Sequence, residues 1–124
     1  MHRLDPEALP SKPGEPDYFT GAVTLRRLVE TPPPTNVKML RVEFAPGACT
    51  HWHVHSGVQI LVVTEGRCRF QHAGGPVEEA GAGETIYILA GEKHWHGATP
   101  DAPMVHLAIN LDLETEWLEV VGPH

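Results

Sequence analysis

Glycine and proline interrupt this chain so often that a helix of useful length has almost nowhere to form. Twelve glycines and twelve prolines are spread through 124 residues; proline lacks a backbone donor and glycine favours turns. Between the breaks lie short strand-forming runs at 20–30, 37–44, 59–64, 67–72, 77–80, 85–89 and 104–111. Turn clusters such as Pro32-Pro33-Pro34-Thr35-Asn36, Pro46-Gly47, Glu65-Gly66 and Gly74-Gly75-Pro76 separate them. Only 113–121 leaves room for a helix. The sequence therefore predicts a small all-β domain, either a barrel or a double-sheet jelly roll. Residues 1–17, with Pro6, Pro10, Pro13 and Pro16 among charges, are expected to form an irregular, partly mobile arm ahead of a single domain over 18–124.

Strand parity assigns the faces. Leu40, Val42 and Phe44 alternate with Arg41 and Glu43, so the even positions look into the interior. Gln59-Ile60-Leu61-Val62-Val63 is apolar on both faces apart from Gln59. It needs cover from a second sheet on one side and from another element or subunit on the other, and a homodimer is the simplest source. In 105–111, Val105, Leu107, Ile109 and Leu111 share one face, while His106, Ala108 and Asn110 share the other and line a polar cavity if both faces are enclosed.

Composition narrows the partners. With 41% hydrophobic and 20% charged residues the chain can build a soluble core. Its net charge of −7 leaves no basic face for nucleic acid or an anionic membrane surface. Cys49 and Cys68 are too few for a disulfide framework and form no C-x-x-C pair. The start lacks a signal-peptide pattern and the longest apolar run, 60–63, cannot span a bilayer, so the expected location is cytoplasmic.

Histidine is the unusual residue, with nine copies. His51-Trp52-His53-Val54-His55 sets three imidazoles on one side of an extended segment, Gln59 keeps the same parity, and His94-Trp95-His96 and His106 follow. A single histidine is more often a hydrogen-bonded core or surface residue. Clustering of this kind instead favours a divalent metal, which takes three or four nitrogen or oxygen donors. Spacing alone leaves open which of them bind.

Two motifs resemble the cupin superfamily. The first reads Pro46-Gly47, His53-Val54-His55, Gln59 and Gly66 in matching register; the second reads Gly83, Leu89-Ala90-Gly91 and His94. The resemblance implies a small cupin barrel, a double-stranded β-helix or jelly roll, that assembles as a homodimer or higher oligomer. It implies metal ligands His53, His55, Gln59 and His94. Gln59 stands where cupins usually carry glutamate, and Leu89 where they usually carry proline. An amide in place of a carboxylate leaves an all-neutral donor set, so the ion keeps its full charge as a Lewis acid but is held less tightly.

Asp17-Tyr18-Phe19-Thr20-Gly21, the run from Pro46 to Gln59, 91–98 and 104–109 also look like the bacterial cupin hydroxynitrile lyases, small manganese-dependent proteins that cleave or form cyanohydrins. That likeness implies a small-molecule substrate and manganese, with iron, nickel, cobalt or zinc as alternatives. His106 is then the preferred general base and His96 a second catalytic candidate. Leu40, Val42 and Asn110 are expected to line the substrate pocket. His51 is placed at the cavity edge, Trp52 and Trp95 are read as core or interface aromatics, and Cys49 and Thr50 as small turn residues. An Fe(II)-dependent cupin dioxygenase and a non-enzymatic ligand-binding cupin are the alternative readings.

Overall fold

The one-sided alternation of 37–44 and 104–111 becomes a pair of long strands at the centre of a sheet. The computed structural model describes residues 1–122; residues 123–124, the last of the expected 18–124 domain, lie outside the described residues. The strands are β1 (Ser11–Pro13), β2 (Phe19–Thr20), β3 (Val23–Glu30), β4 (Val37–Phe44), β5 (Cys49–Thr50), β6 (His53–His55) and β7 (Gln59–Glu65). They continue with β8 (Arg67–His72), β9 (Glu78–Gly81), β10 (Thr85–Ile88), β11 (His94–Ala98), β12 (Met104–Leu111) and β13 (Thr115–Trp117).

One sheet has the order β1-β3-β4-β12-β7-β10. The other runs β13-β6-β11-β5-β2, with β8 also paired to β11 and β9 to β8. All pairs are antiparallel, and register sets the inner rows: His106 faces Val42 and Val63, Ala108 faces Leu40 and Leu61, and Asn110 faces Gln59. Between the sheets lies a core that includes Val42, Phe44, Leu61, Val63, Cys68, Met104 and Ala108. Each such large apolar side chain contributes roughly 1.5–3 kcal/mol through burial. Among the described residues no helix is long and apolar enough to cross a membrane.

Two glycines permit the closure. Gly66 takes φ +72° in the turn between β7 and β8, and a Cβ there would strike the Pro103 carbonyl. At Gly97 a Cβ would strike Ala48 and Cys49, so only glycine lets β11 pass so close to β5.

Two expectations are corrected. The N-terminal arm is not wholly irregular: Pro6–Ala8 form a short 3-10 turn capped by Asp5, and Ser11–Pro13 pair with Arg26, Leu25 and Thr24 of β3. Because β1 is the sheet's edge, proline's missing donor costs no ladder bond on the open side. The stretch with room for a helix instead forms β13, which pairs with β6. Beyond β4 and β7 the outer face of the first sheet remains apolar, with Tyr87, Ile60, Ile109 and Met39 as successive cross-strand neighbours.

Candidate metal centre

β6 and β11 pair with His94 directly opposite His53, which brings the two histidine runs together. The His53 ring centroid lies 4.2 Å from that of His94, 4.9 Å from that of His55 and 5.5 Å from that of His96. His55 and His94 are also 4.9 Å apart. One ligand atom from each of His53, His94 and His96 falls within 4.8 Å of the others, close enough to share one ion with bonds of about 2.0–2.3 Å.

Backbone carbonyls select the tautomers. The Nδ1 of His53 donates to the His51 carbonyl at 2.8 Å and that of His94 to the Glu92 carbonyl at 2.7 Å. A carbonyl can only accept, so both rings carry their proton on Nδ1 and present an unprotonated Nε2. Gln59 is oriented across the barrel: its Nε2 donates to Asn110 Oδ1 at 2.7 Å. Among the described residues no hydrogen-bond partner meets the buried His55 Nδ1, Gln59 Oε1, His94 Nε2 or His96 Nε2. Buried polar atoms without a partner are costly, and a cation here would satisfy those whose lone pairs reach it.

Electrostatics suits that ligand set. Burial, with the neighbouring His94 adding to it, pushes His53 well below the usual imidazole range and His55 down to about 4. Burial lowers His94 as well and takes His96 well below its ordinary value, with His106 the next contributor. These shifts all favour the neutral rings, whose lone pairs are what a metal binds.

A cavity of about 230 Å³ opens beside these groups. His53, His55, Gln59, His96, His106 and Asn110 supply its polar wall, and Leu40, Val42, Phe44 and Trp117 its apolar wall. Leu40, Val42 and Asn110, expected at a substrate pocket, all line this cavity. His94 borders a separate, smaller cavity of about 150 Å³, which it shares with His96. The His96 ring is buried and bonded through Nδ1 to His106 Nε2 at 3.0 Å. It joins His53 and His94, while His55 lies against them and Gln59 turns its free oxygen to the buried side.

Some placements differ from expectation. His51 is buried outside the cavity lining and acts through its carbonyl rather than at a rim. Thr50 lies in a strand, lines the cavity, and accepts from the His96 backbone N–H at 3.1 Å. Trp117 was not visible in any motif, yet its ring lies 4.6 Å from that of His53 and stacks on Tyr18 at 4.7 Å. Its position depends on β13 pairing with β6, a contact with no local sequence signal.

The sequence pattern of the Cupin domain family matches residues 40–110, more than half of the chain. The chain belongs to the cupins. A relative from Granulicella tundricola named (R)-mandelonitrile lyase is 44% identical over 111 residues, spanning 87% of this cupin and 85% of its own length. A cupin-like protein of Thermotoga maritima with a solved structure superimposes with a TM-score of 0.84 at 38% identity, covering 89% of this cupin and 86% of that chain. A polyketide cyclase from Streptomyces resistomycificus shares the fold, with a TM-score of 0.74 at 24% identity over 100% of this cupin and 87% of its own chain.

Proposed function

We propose that this cupin is a hydroxynitrile lyase that cleaves and forms cyanohydrins of small aldehydes. The observation that carries this reading is the set of unpartnered buried polar atoms, His55 Nδ1, Gln59 Oε1, His94 Nε2 and His96 Nε2, beside a part-apolar cavity. The 44% identity to a protein named (R)-mandelonitrile lyase supports the same reading. His53, His55, Gln59 and His94 hold a divalent ion, manganese first, with His96 beside it. Bound there, the ion supplies positive charge to stabilise an alkoxide or carbonyl oxygen, and the neutral Gln59 donor does not diminish that charge.

The protein's own groups then handle the proton. His96 Nε2 faces the reacting hydroxyl with its lone pair only if Nδ1 carries the proton and donates to His106 Nε2. His106 is thereby a positioning residue, and the base expected at His106 passes to His96. In cleavage His96 takes the hydroxyl proton, the C–C bond breaks with its electron pair leaving on cyanide, and a carbonyl forms. His96 then returns the proton to cyanide, releasing aldehyde and HCN with atoms and charge balanced. Burial makes the His96 imidazolium costly, which favours that return. Leu40, Val42, Phe44 and Trp117 receive the apolar substituent.

The test is cyanide release from racemic mandelonitrile at mildly acidic pH by manganese-loaded and chelated protein. Metal-dependent, enantioselective release is expected; release no faster than background overturns the reading. Oxygen uptake by the iron-loaded protein would instead support a dioxygenase.

We propose also that a second copy covers the outer face of Tyr87, Ile60, Ile109 and Met39. β10, β7, β12 and β4, about 4.8 Å apart and four, seven, eight and eight residues long, offer roughly 430 Å² per copy, in the range of the smaller, weaker interfaces. Sedimentation should give about twice the 13.6 kDa chain mass, and Ile109→Lys should give monomers. A monomeric wild type overturns this.

A further inference from the structure

We propose that Asn110 is a positioning residue that fixes which end of the Gln59 amide meets the metal. This rests on the metal-centre reading above and deepens it. A glutamine amide has two ends of nearly equal size, one accepting and one donating. If the amide turned over, its NH₂ group would point at the ion, and a donor repels a cation. A carboxylate has no such ambiguity, because both of its atoms accept. The exchange of glutamate for glutamine therefore creates a need for orientation that cupins with the acid do not have.

The structure meets that need at one contact. Gln59 and Asn110 are direct cross-strand partners on β7 and β12, and the Leu111 backbone N–H donates to the Val58 carbonyl at 3.1 Å to hold the register. Gln59 Nε2 donates to Asn110 Oδ1 at 2.7 Å. Gln59 Oε1, at the other end of the same amide, is buried with no partner among the described residues. Asn110 thus consumes the donating end and leaves the accepting end for the ion. Asn110 lines the cavity through the same side chain, but its distinctive contact is to Gln59.

The test is a double-mutant cycle on manganese affinity, read by calorimetry or chelator competition with no turnover involved. Asn110→Leu is close in size and removes the acceptor; Asn110→Asp accepts but cannot donate. In the wild-type background Asn110→Leu is expected to weaken manganese binding about fivefold, and Asn110→Asp to bind at least as tightly as wild type. In the Gln59→Glu background Asn110→Leu should change affinity by less than about twofold, because either carboxylate oxygen serves. The manganese EPR spectrum of Asn110→Leu should differ from wild type, while that of Gln59→Glu with Asn110→Leu should match Gln59→Glu alone. Equal weakening in both backgrounds, or none in either, overturns the orienting role and leaves the metal centre standing. A wild-type protein that binds no divalent ion overturns the metal centre itself, and this inference with it.

Discussion

The Nδ1 of His96 lies 3.0 Å from the Nε2 of His106, and both rings are buried between the sheets. One hydrogen bond holds one proton, so the tautomer of either ring dictates that of the other. With His96 presenting a lone pair to the cavity, His106 must accept. His106→Phe keeps the ring volume but removes the acceptor, so His96 Nδ1 is left unpaired and its tautomer is no longer selected. The expected result is a fall in kcat of about 100-fold with little change in KM or manganese content, measured by steady-state kinetics and elemental analysis. His106→Gln, which can still accept, should recover part of the rate. Loss of manganese in His106→Phe would instead place His106 among the ligands.

His53 sits at the meeting point of β6 and β11, where its ring touches His55, His94 and Trp117. Removing it deletes a donor at the centre of the cluster while leaving the hydrophobic core of Val42, Phe44 and Leu61 intact. His53→Ala is therefore expected to lose stoichiometric metal yet melt cooperatively with a native circular dichroism spectrum. Full metal occupancy in this variant would show that the ion sits elsewhere.

Gln59→Glu should act in the opposite sense on affinity. A carboxylate adds a charged donor to the ion, so manganese binding should tighten about tenfold or more, while the diminished Lewis acidity should slow cyanohydrin cleavage. Titration calorimetry and initial rates read the two effects separately. Tighter binding with an undiminished rate would mean that the charge of the ion is not what limits the reaction.

Much of this architecture is legible in the sequence, for identifiable reasons. The expected limits 37–44 and 104–111 coincide with β4 and β12, because one-sided alternation marks a strand buried on one face. The two histidine runs meet because His53–His55 and His94–Ala98 are paired strands, and Leu40, Val42 and Asn110, expected at a pocket, share the inner parity and line the cavity. The edge strand β1 and the strand carrying Trp117 were missed. Both are three residues long and exist only through partners distant in sequence. Sequence also cannot weigh burial. The ordinary imidazole pKa made His106 look suited to proton transfer near neutrality, whereas enclosure brings it down to about 4 and lowers His96 as well, so the base is assigned from the hydrogen bond between the two rings and not from their ordinary pKa.

That enclosure sets the stability of the metal-free protein against pH. Burial holds His55 and His106 down at about 4, against 6.5 for the ordinary imidazole. His53 and His96 are depressed as well, by the same cause. Between those values the unfolded chain binds protons that the folded chain refuses. Their contribution to stability is therefore complete above pH 6.5 and is lost as pH falls through 4, with a slope of up to about 1.4 kcal/mol per pH unit for each ring. Urea unfolding in chelator at pH 7.5, 6.0 and 5.0 should show this fall before most carboxylates begin to titrate. If manganese binds the folded site more tightly than the unfolded chain, as proposed, it should offset part of the fall at pH 6.0 and less at pH 5.0, as protons compete for the ring nitrogens. A flat profile between pH 7.5 and 5.0 would mean that these rings are charged or solvated in the folded protein, and would remove the basis for a preformed neutral ligand set.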